Sequence, residues 1–201
     1  MIITDLTQQK RKGRINVYLD GEFVCGLDEL TLMQNRLKVG DEISREKLEE
    51  IQLESEKQTA TDKAMAYAMK GAHSEKRMRI YLAQKGYMDT VIDEVIEKLK
   101  YYDYVNDERL ATDYVGYYKQ TRGINRLKQD LRAMGIEDEI IRLALQEVDG
   151  QDAACRKAGE KYLASHKNAT KVKLCNHLAA KGFEYDLIRS VANSLFDGME
   201  E

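Results

Sequence analysis

The sequence predicts a mainly α protein: three tandem three-helix repeats in an elongated, curved array, preceded by a small N-terminal β-hairpin module. Three observations carry this expectation. One apolar pattern recurs around Gly86, Gly135 and Gly182, which lie 49 and 47 residues apart. The 201-residue chain contains no proline, where average usage would give about ten. Proline chiefly breaks helices, so its absence suits a chain that is helical over most of its length. The first forty residues, by contrast, alternate in hydropathy with period two, the mark of half-buried strands.

The N-terminal module spans residues 1–43. Ile15, Val17 and Leu19 alternate with polar residues, Asp20-Gly21 follows, and Phe23, Cys25 and Leu27 alternate again. Asp-Gly between two such runs signals a hairpin, because a type I′ turn needs positive φ at both central residues. Ile2, Ile3 and Leu6 add a third strand, with Lys10-Arg11-Lys12-Gly13-Arg14 as its loop. Asp28 to Asn35 forms a short helix over the hairpin, which is marginal alone. Residues 44–58 read as a charged helical connector, capped by Ser44 and carrying Leu48 and Ile51 among Glu and Lys. That composition suggests a solvated spacer or arm.

The repeats occupy 59–105, 106–150 and 151–201. Counted from the glycines, offsets −8 and −4 are Met78/Leu82, Leu127/Leu131 and Leu174/Leu178, and offset +1 is Tyr87, Ile136 and Phe183. Offsets +5, +6, +9 and +13 are Val91, Ile92, Val95 and Leu99, then Ile140, Ile141, Ala144 and Val148, then Leu187, Ile188, Val191 and Leu195. All are apolar, in a chain only 43% hydrophobic. First helices are expected near Ala64–Met69, Leu110–Tyr118 and Ala153–Leu163, with Asn106 or Asp107 capping the second and Gln151-Asp152 starting the third. Second helices begin near Ser74, Gly123 and Thr170 and end at the glycines. With each glycine at C′ in the left-handed conformation, offsets −4 and +1 are the two sites of the Schellman hydrophobic contact. Third helices follow Asp89, Asp138 and Asp186, which favour a helix N-terminus. Units of under fifty residues bury little core alone and stack into arrays, whose long surfaces suit gripping another large object.

Composition excludes several classes. Mean hydropathy is −0.59, no run approaches the roughly 18 apolar residues of a membrane span, and the N-terminus lacks the layout of a signal peptide. Cys25, Cys155 and Cys175 are odd in number and widely spaced, which points to a reducing, cytoplasmic setting. There is no phosphate-binding GxxxxGK[ST] loop, no GxGxxG after a strand, no HExxH and no CxxC. His73, His166 and His177 have no Cys or His at metal-ligand spacing, and Cys25 reads as a small hairpin residue rather than a nucleophile. The expectation is therefore a protein without cofactor, metal or catalytic activity of its own.

Net charge is −3, but the charge is unevenly placed. Residues 41–58 carry seven acids and three bases. Residues 114–134 carry Lys119, Arg122, Arg126, Lys128 and Arg132 against Asp130 alone, and residues 156–182 carry seven bases against Glu160. Local fields rather than the total steer polyanions. The cations also repeat: offset −9 is Arg77, Arg126 and Lys173, and offset −7 is Arg79 and Lys128, with Cys175 in the third repeat. Lys76, Arg122, Arg132, Lys167 and Lys171 flank them. Any one of these solvates a helix; together they outline a basic stripe able to bind phosphates without sequence specificity. Tyr101, Tyr102, Tyr104, Tyr114, Tyr117 and Tyr118 crowd the junction of the first two repeats. Such rings either stack on single-stranded bases or fill core with their hydroxyls reaching water. Core is the expectation for Tyr104 and Tyr114, with Tyr117 and Tyr118 left open.

Several segments resemble one known family. Ser74-Glu75-Lys76-Arg77, Tyr81-Leu82-Ala83-Gln84-Lys85-Gly86-Tyr87 and Val91 through Leu99 resemble the first repeat of the RecX family. Tyr104-Val105-Asn106-Asp107-Glu108-Arg109-Leu110-Ala111 is similar to the segment that opens that family's second repeat, with Asn106 where Asp is usual and Leu110 where Phe is usual. Arg122-Gly123-Ile124-Asn125-Arg126-Leu127 through Leu131, Gly135 and Ile136 is similar to the repeat itself. His73 and Met134 stand where Arg and Lys are frequent. The resemblance covers about residues 60–200, and residues 1–43 are similar to an N-terminal extension of some members. It implies a cytoplasmic, non-enzymatic, monomeric regulator that binds the filament of RecA on single-stranded DNA. It further implies inhibition of the recombinase, ATPase and coprotease activities of RecA in DNA repair and the SOS response. A stand-alone, non-sequence-specific DNA-binding repeat protein is the alternative.

Overall fold

A computed structural model describes residues 1–10 and 13–197; Arg11 and Lys12, placed by the sequence in the first loop, lie outside the described residues. The described chain is mainly helical, with one three-stranded antiparallel sheet at its N-terminus. It divides into two compact units, one of Met1–Gly71 with Met78–Tyr104, the other of Ala72–Arg77 with Val105 onward.

In the first unit, strands β1 (Ile3–Gln8), β2 (Arg14–Leu19) and β3 (Glu22–Asp28) pair in that order. Asp20 and Gly21 both have positive φ, 48° and 87°, as the type I′ turn requires. Val17, Leu19, Cys25 and Leu27 point inward as the alternation predicts, but Phe23 is 58% exposed. The register shifts after Val17, which pairs with Cys25 while Tyr18 pairs with Phe23. The extra residue turns Phe23 to the outer face, where its ring meets Tyr18 edge-on at 5.8 Å. Helix α1 (Glu29–Gln34) is capped by Asp28, whose Oδ1 accepts from the Thr31 N–H at 2.8 Å.

Ser44 caps α2 (Arg45–Ala68), accepting from the Lys47 N–H at 3.1 Å. This is one continuous helix of 24 residues, which runs from the connector into the first helix of the first repeat. Its first half lays Leu48 and Ile51 into the sheet core with Ile3, Leu19, Leu27 and Leu32, and Ser55 Oγ donates to Asp28 Oδ2. Its second half buries Ala60 and Ala64 and bonds through Lys57 Nζ to Glu94 Oε2 at 2.5 Å. Glu94 belongs to α4 (Asp89–Tyr101), which follows α3 (Glu75–Gln84). Tyr67 stacks on Tyr81 at 4.1 Å, and Lys63 donates to the Tyr87 hydroxyl at 2.7 Å.

The second unit holds α5 (Asp107–Tyr118), α6 (Ile124–Met134) and α7 (Asp138–Leu145), then α8 (Gln151–Ser165), α9 (Lys171–Ala180) and α10 (Tyr185–Asp197). Asn106 rather than Asp107 caps α5, accepting from the Arg109 N–H. Leu127, Leu131 and Ile136 join Ala111, Val115, Ile141 and Leu145 in one core. Leu174, Leu178, Phe183, Ile188 and Val191 join Ala154 and Cys155 in the other. Val148 departs from its expected place on a helical face. The last turn of α7 tightens, with Gln146 N–H bonding Leu143 and Val148 N–H bonding Leu145, and Gly150 at φ 66° starts α8. Val148 still packs on the same core.

The three glycines adopt the conformation read from their spacing, at φ 85°, 88° and 83°. At C″, the N–H groups of Tyr87, Ile136 and Phe183 reach the carbonyls of Leu82, Leu131 and Leu178 at 3.4, 3.1 and 3.3 Å. The glycine N–H groups reach Ala83, Arg132 and Ala179, each at 2.9 Å. Both bonds of the Schellman motif are present three times, over leucines that are fully buried.

Candidate functional site

The caps fix where the recurring cations sit. Arg77, Arg126 and Lys173 are each the third residue of their helix, α3, α6 and α9, and each is exposed. The buried offset −8 follows one residue later, so the −9 side chain lies beside the core face and points to water. The backbone N–H groups of Arg77 and Lys173 bond to the cap hydroxyls of Ser74 (3.3 Å) and Thr170 (3.4 Å). A cation in the first turn opposes the helix dipole, at a typical cost of about 0.3–1 kcal/mol. Helix stability therefore gives no reason for three of them in register.

The remaining candidates divide by pairing. Arg79 bonds Asp93 at 2.5 Å, Arg132 bonds Asp138 at 2.7 Å, and Lys119 lies 3.8 Å from Asp149. Arg122 bonds Asp130 at 2.6 Å and lies over the Tyr118 ring, 3.8 Å from its centroid. Arg126 bonds the other Asp130 oxygen at 2.9 Å. Lys76, Arg77, Lys128, Lys167, Lys171 and Lys173 have no ion pair among the described residues and are all exposed. Lys128 lines a groove beside Arg132 and Arg142, whose guanidiniums are engaged by Asp138 and Glu139.

Asp130 is the hub that the charge count passed over. Burial works against its ionisation, but the Tyr114 hydroxyl and the two arginines hold its carboxyl below the ordinary value. Burial, then the bond to Asp130, pushes the Tyr114 phenol up to about 12. The i, i+4 spacing of Arg126 and Asp130 was a visible signal; the approach of Arg122 and Tyr114 from α5 and its following turn was not. Tyr114 therefore joins the α5–α7 core, as expected of it. Tyr104 does not meet the same expectation, being 45% exposed. Asp103 takes the left-handed turn after α4, Tyr104 N–H closes it on Leu99, and Val105 enters the core instead. Tyr117 is exposed and edge-on to Tyr118 at 4.7 Å.

Catalytic groups are poorly supported. Burial pushes the Cys25 thiol up, and that of Cys155 to about 11, the reverse of what a nucleophile needs. His166 and His177 both stack on Tyr162, each with its ring centroid 4.3 Å from that of the tyrosine. Among the described residues no three His, Cys, Asp or Glu side chains gather as metal ligands, and no helix is long and apolar enough to cross a membrane.

Residues 1–44 match the family model described as the regulatory protein RecX N-terminal domain. Residues 60–99 match the RecX first three-helix domain, and residues 106–145 the second. The chain belongs to the RecX family. It is 32% identical to regulatory protein RecX of Bacillus pumilus over 99% of this chain and 79% of that one. It is 32% identical to regulatory protein RecX of Clostridioides difficile over 98% and 96%. Among solved structures, RecX from Lactobacillus salivarius is 25% identical over 70% of this chain and 96% of that chain, with a TM-score of 0.63. A crystal structure of regulatory protein RecX matches 96% of this chain and 98% of that chain with a TM-score of 0.69, at 24% identity, which speaks to the fold. The chain is thus a member of a regulatory protein family built on the fold described above.

Proposed function

We propose that this chain regulates RecA by binding the RecA filament on single-stranded DNA, without chemistry of its own. In this reading the exposed cations of α3, α6 and α9 face DNA phosphates or acidic RecA surface, and binding suppresses recombinase, ATPase and coprotease activity. The observation that carries the reading is the registered set Arg77, Arg126 and Lys173, at the same helical position in three successive repeats of a RecX-family fold. A cation kept at a dipole-opposed position by all three repeats is better explained by an external anion than by helix stability. Lys76, Lys128, Lys167 and Lys171 extend the charged surface without internal acids to neutralise them. Arg122 serves the α5–α6 tie more than the interface, because Asp130 and Tyr118 already hold its guanidinium.

The test is the DNA-dependent ATPase of RecA with and without this protein, as wild type and as an Arg77/Arg126/Lys173 triple alanine. Wild type is expected to inhibit and the triple variant to inhibit at least tenfold less potently. No effect of wild type overturns the proposal; full inhibition by the triple variant overturns only the assignment of the stripe. A second reading, a stand-alone DNA-binding protein, draws on the unpaired Lys167, Lys171 and Lys173 near the start of α9. It requires salt-sensitive binding to naked DNA with no change in RecA turnover.

A further inference from the structure

The same joint is built twice in the second unit. In one copy, Ser74 Oγ, at the cap of α3, donates to the carbonyl of Met134, the residue before Gly135. The stem of Lys76 lies so close that a Cβ on Gly135 would fall 2.7 Å from its Cδ. In the other copy, the Gly123 N–H, at the cap of α6, donates to the carbonyl of Lys181, the residue before Gly182, at 2.9 Å. The Asn125 N–H bonds the Gly182 carbonyl at 3.1 Å, and a Cβ on Gly182 would fall 2.2 Å from the Arg126 nitrogen. Each joint pairs carbonyls orphaned at the end of one helix with donors at the start of another, which answers both deficits of helix termini. Its halves are a left-handed glycine after a second helix and the first turn of the preceding repeat's second helix.

One half of each kind is left over. Gly86 has nothing within 4 Å of where a Cβ would be, and Lys85 and Gly86 are exposed, whereas Gly135 is half-buried and Gly182 is buried. At the other end, Ser74 and Gly123 are buried, while the equivalent Thr170 is exposed beside Lys171 and a Val172 that is 69% exposed. The two leftover halves have the chemistry of the two that meet inside the chain.

We propose that a second copy of this chain completes the joint, the Lys85–Gly86 turn of one molecule docking on the Thr170–Lys173 turn of another. The Lys85 carbonyl accepts from the Thr170 cap, and Val172 covers the bare face of Gly86. The contact is head-to-tail, so it can add further copies beyond a dimer, and it needs neither RecA nor DNA. It replaces the monomer expected from the sequence with weak, concentration-dependent association.

Sedimentation of the full chain over a wide concentration range tests this, with wild type beside Gly86→Asn. Asparagine tolerates the left-handed conformation, so the variant keeps the cap while placing a side chain where the joint needs none. Wild type should gain mass with concentration, and Gly86→Asn should self-associate at least tenfold more weakly with unchanged circular dichroism. A mixture of Lys85→Cys and Val172→Cys proteins should also cross-link through a short bismaleimide, well above either variant alone. A strictly monomeric wild type overturns the proposal. So does association undiminished in Gly86→Asn, or a mixture that cross-links no better than its components.

Discussion

Gly86, Gly135 and Gly182 share a backbone conformation within a few degrees, but the space beside them differs. Any L side chain there meets the left-handed penalty, about 1–2 kcal/mol. At Gly182 a Cβ would also press into the Arg126 backbone, at 2.2 Å from N and 2.7 Å from Cα. Backbone cannot swing away as a lysine stem can. Gly182→Ala should therefore destabilise the protein at least twice as much as Gly86→Ala in urea denaturation followed by circular dichroism. Asp28 gives a second prediction at this scale. Burial raises its pKa, but hydrogen bonds from Ser55, the Thr31 hydroxyl and the Thr31 N–H outweigh that and hold it below 3.8. A depressed carboxylate adds stability above its unfolded value of about 3.9, and that stability is lost as pH falls through the folded pKa. Ser55→Ala should cost about 1–2 kcal/mol near neutral pH. The gap to wild type should narrow as pH falls below the ordinary carboxylate range, as denaturation midpoints at neutral and acid pH would show.

At the scale of elements, α9 places Lys173 three residues after its cap, Thr170. Lys173→Glu creates the reciprocal capping box and aligns charge with the dipole. It should raise stability by about 0.5–1 kcal/mol in thermal melts while weakening the inhibition of RecA. A variant that gains both stability and inhibition would speak against the stripe. The same helices show which features a sequence reveals. The glycine caps were legible because left-handed geometry demands glycine, and the Schellman contact ties two apolar residues to it at fixed offsets. The joints were not, because Gly182 meets Gly123 and Arg126 through backbone atoms that no side-chain pattern encodes. Phe23 went to the wrong face because the bulge takes one residue between it and Cys25 and inverts the alternation on the turn side. The cations of the candidate site were legible by register. Their division into engaged and available was not, since the engaged partner of Arg122 lies eight residues away across a turn.

For the whole molecule, a net charge of −3 means that any polyanion is held by a local field against an unfavourable total. Such binding should fall steeply with salt, with the logarithmic slope proportional to the phosphates neutralised. Removing Arg77, Arg126 and Lys173 should lower that slope by about 2 to 3, the smaller figure reflecting the share of Arg126 held by Asp130. Fluorescence anisotropy with a labelled oligonucleotide, alone and coated with RecA, measures it; an unchanged slope would place the contacts elsewhere. The two internal joints carry a consequence of another kind. Their halves are chemically alike but not interchangeable. Gly123 lets the Gly182 turn approach to a distance that would put even a single added carbon 2.2 Å from the Gly182 carbonyl. Ser74, at the matching place, fills that space with a hydroxyl and reaches Met134 through it. A chain in which the third repeat were spliced directly after the first would set Gly182 against Ser74, whose side chain occupies the space that Gly123 leaves open. The order of the repeats is thus addressed residue by residue, and a gene shuffled at repeat boundaries would encode repeats that no longer fit their neighbours.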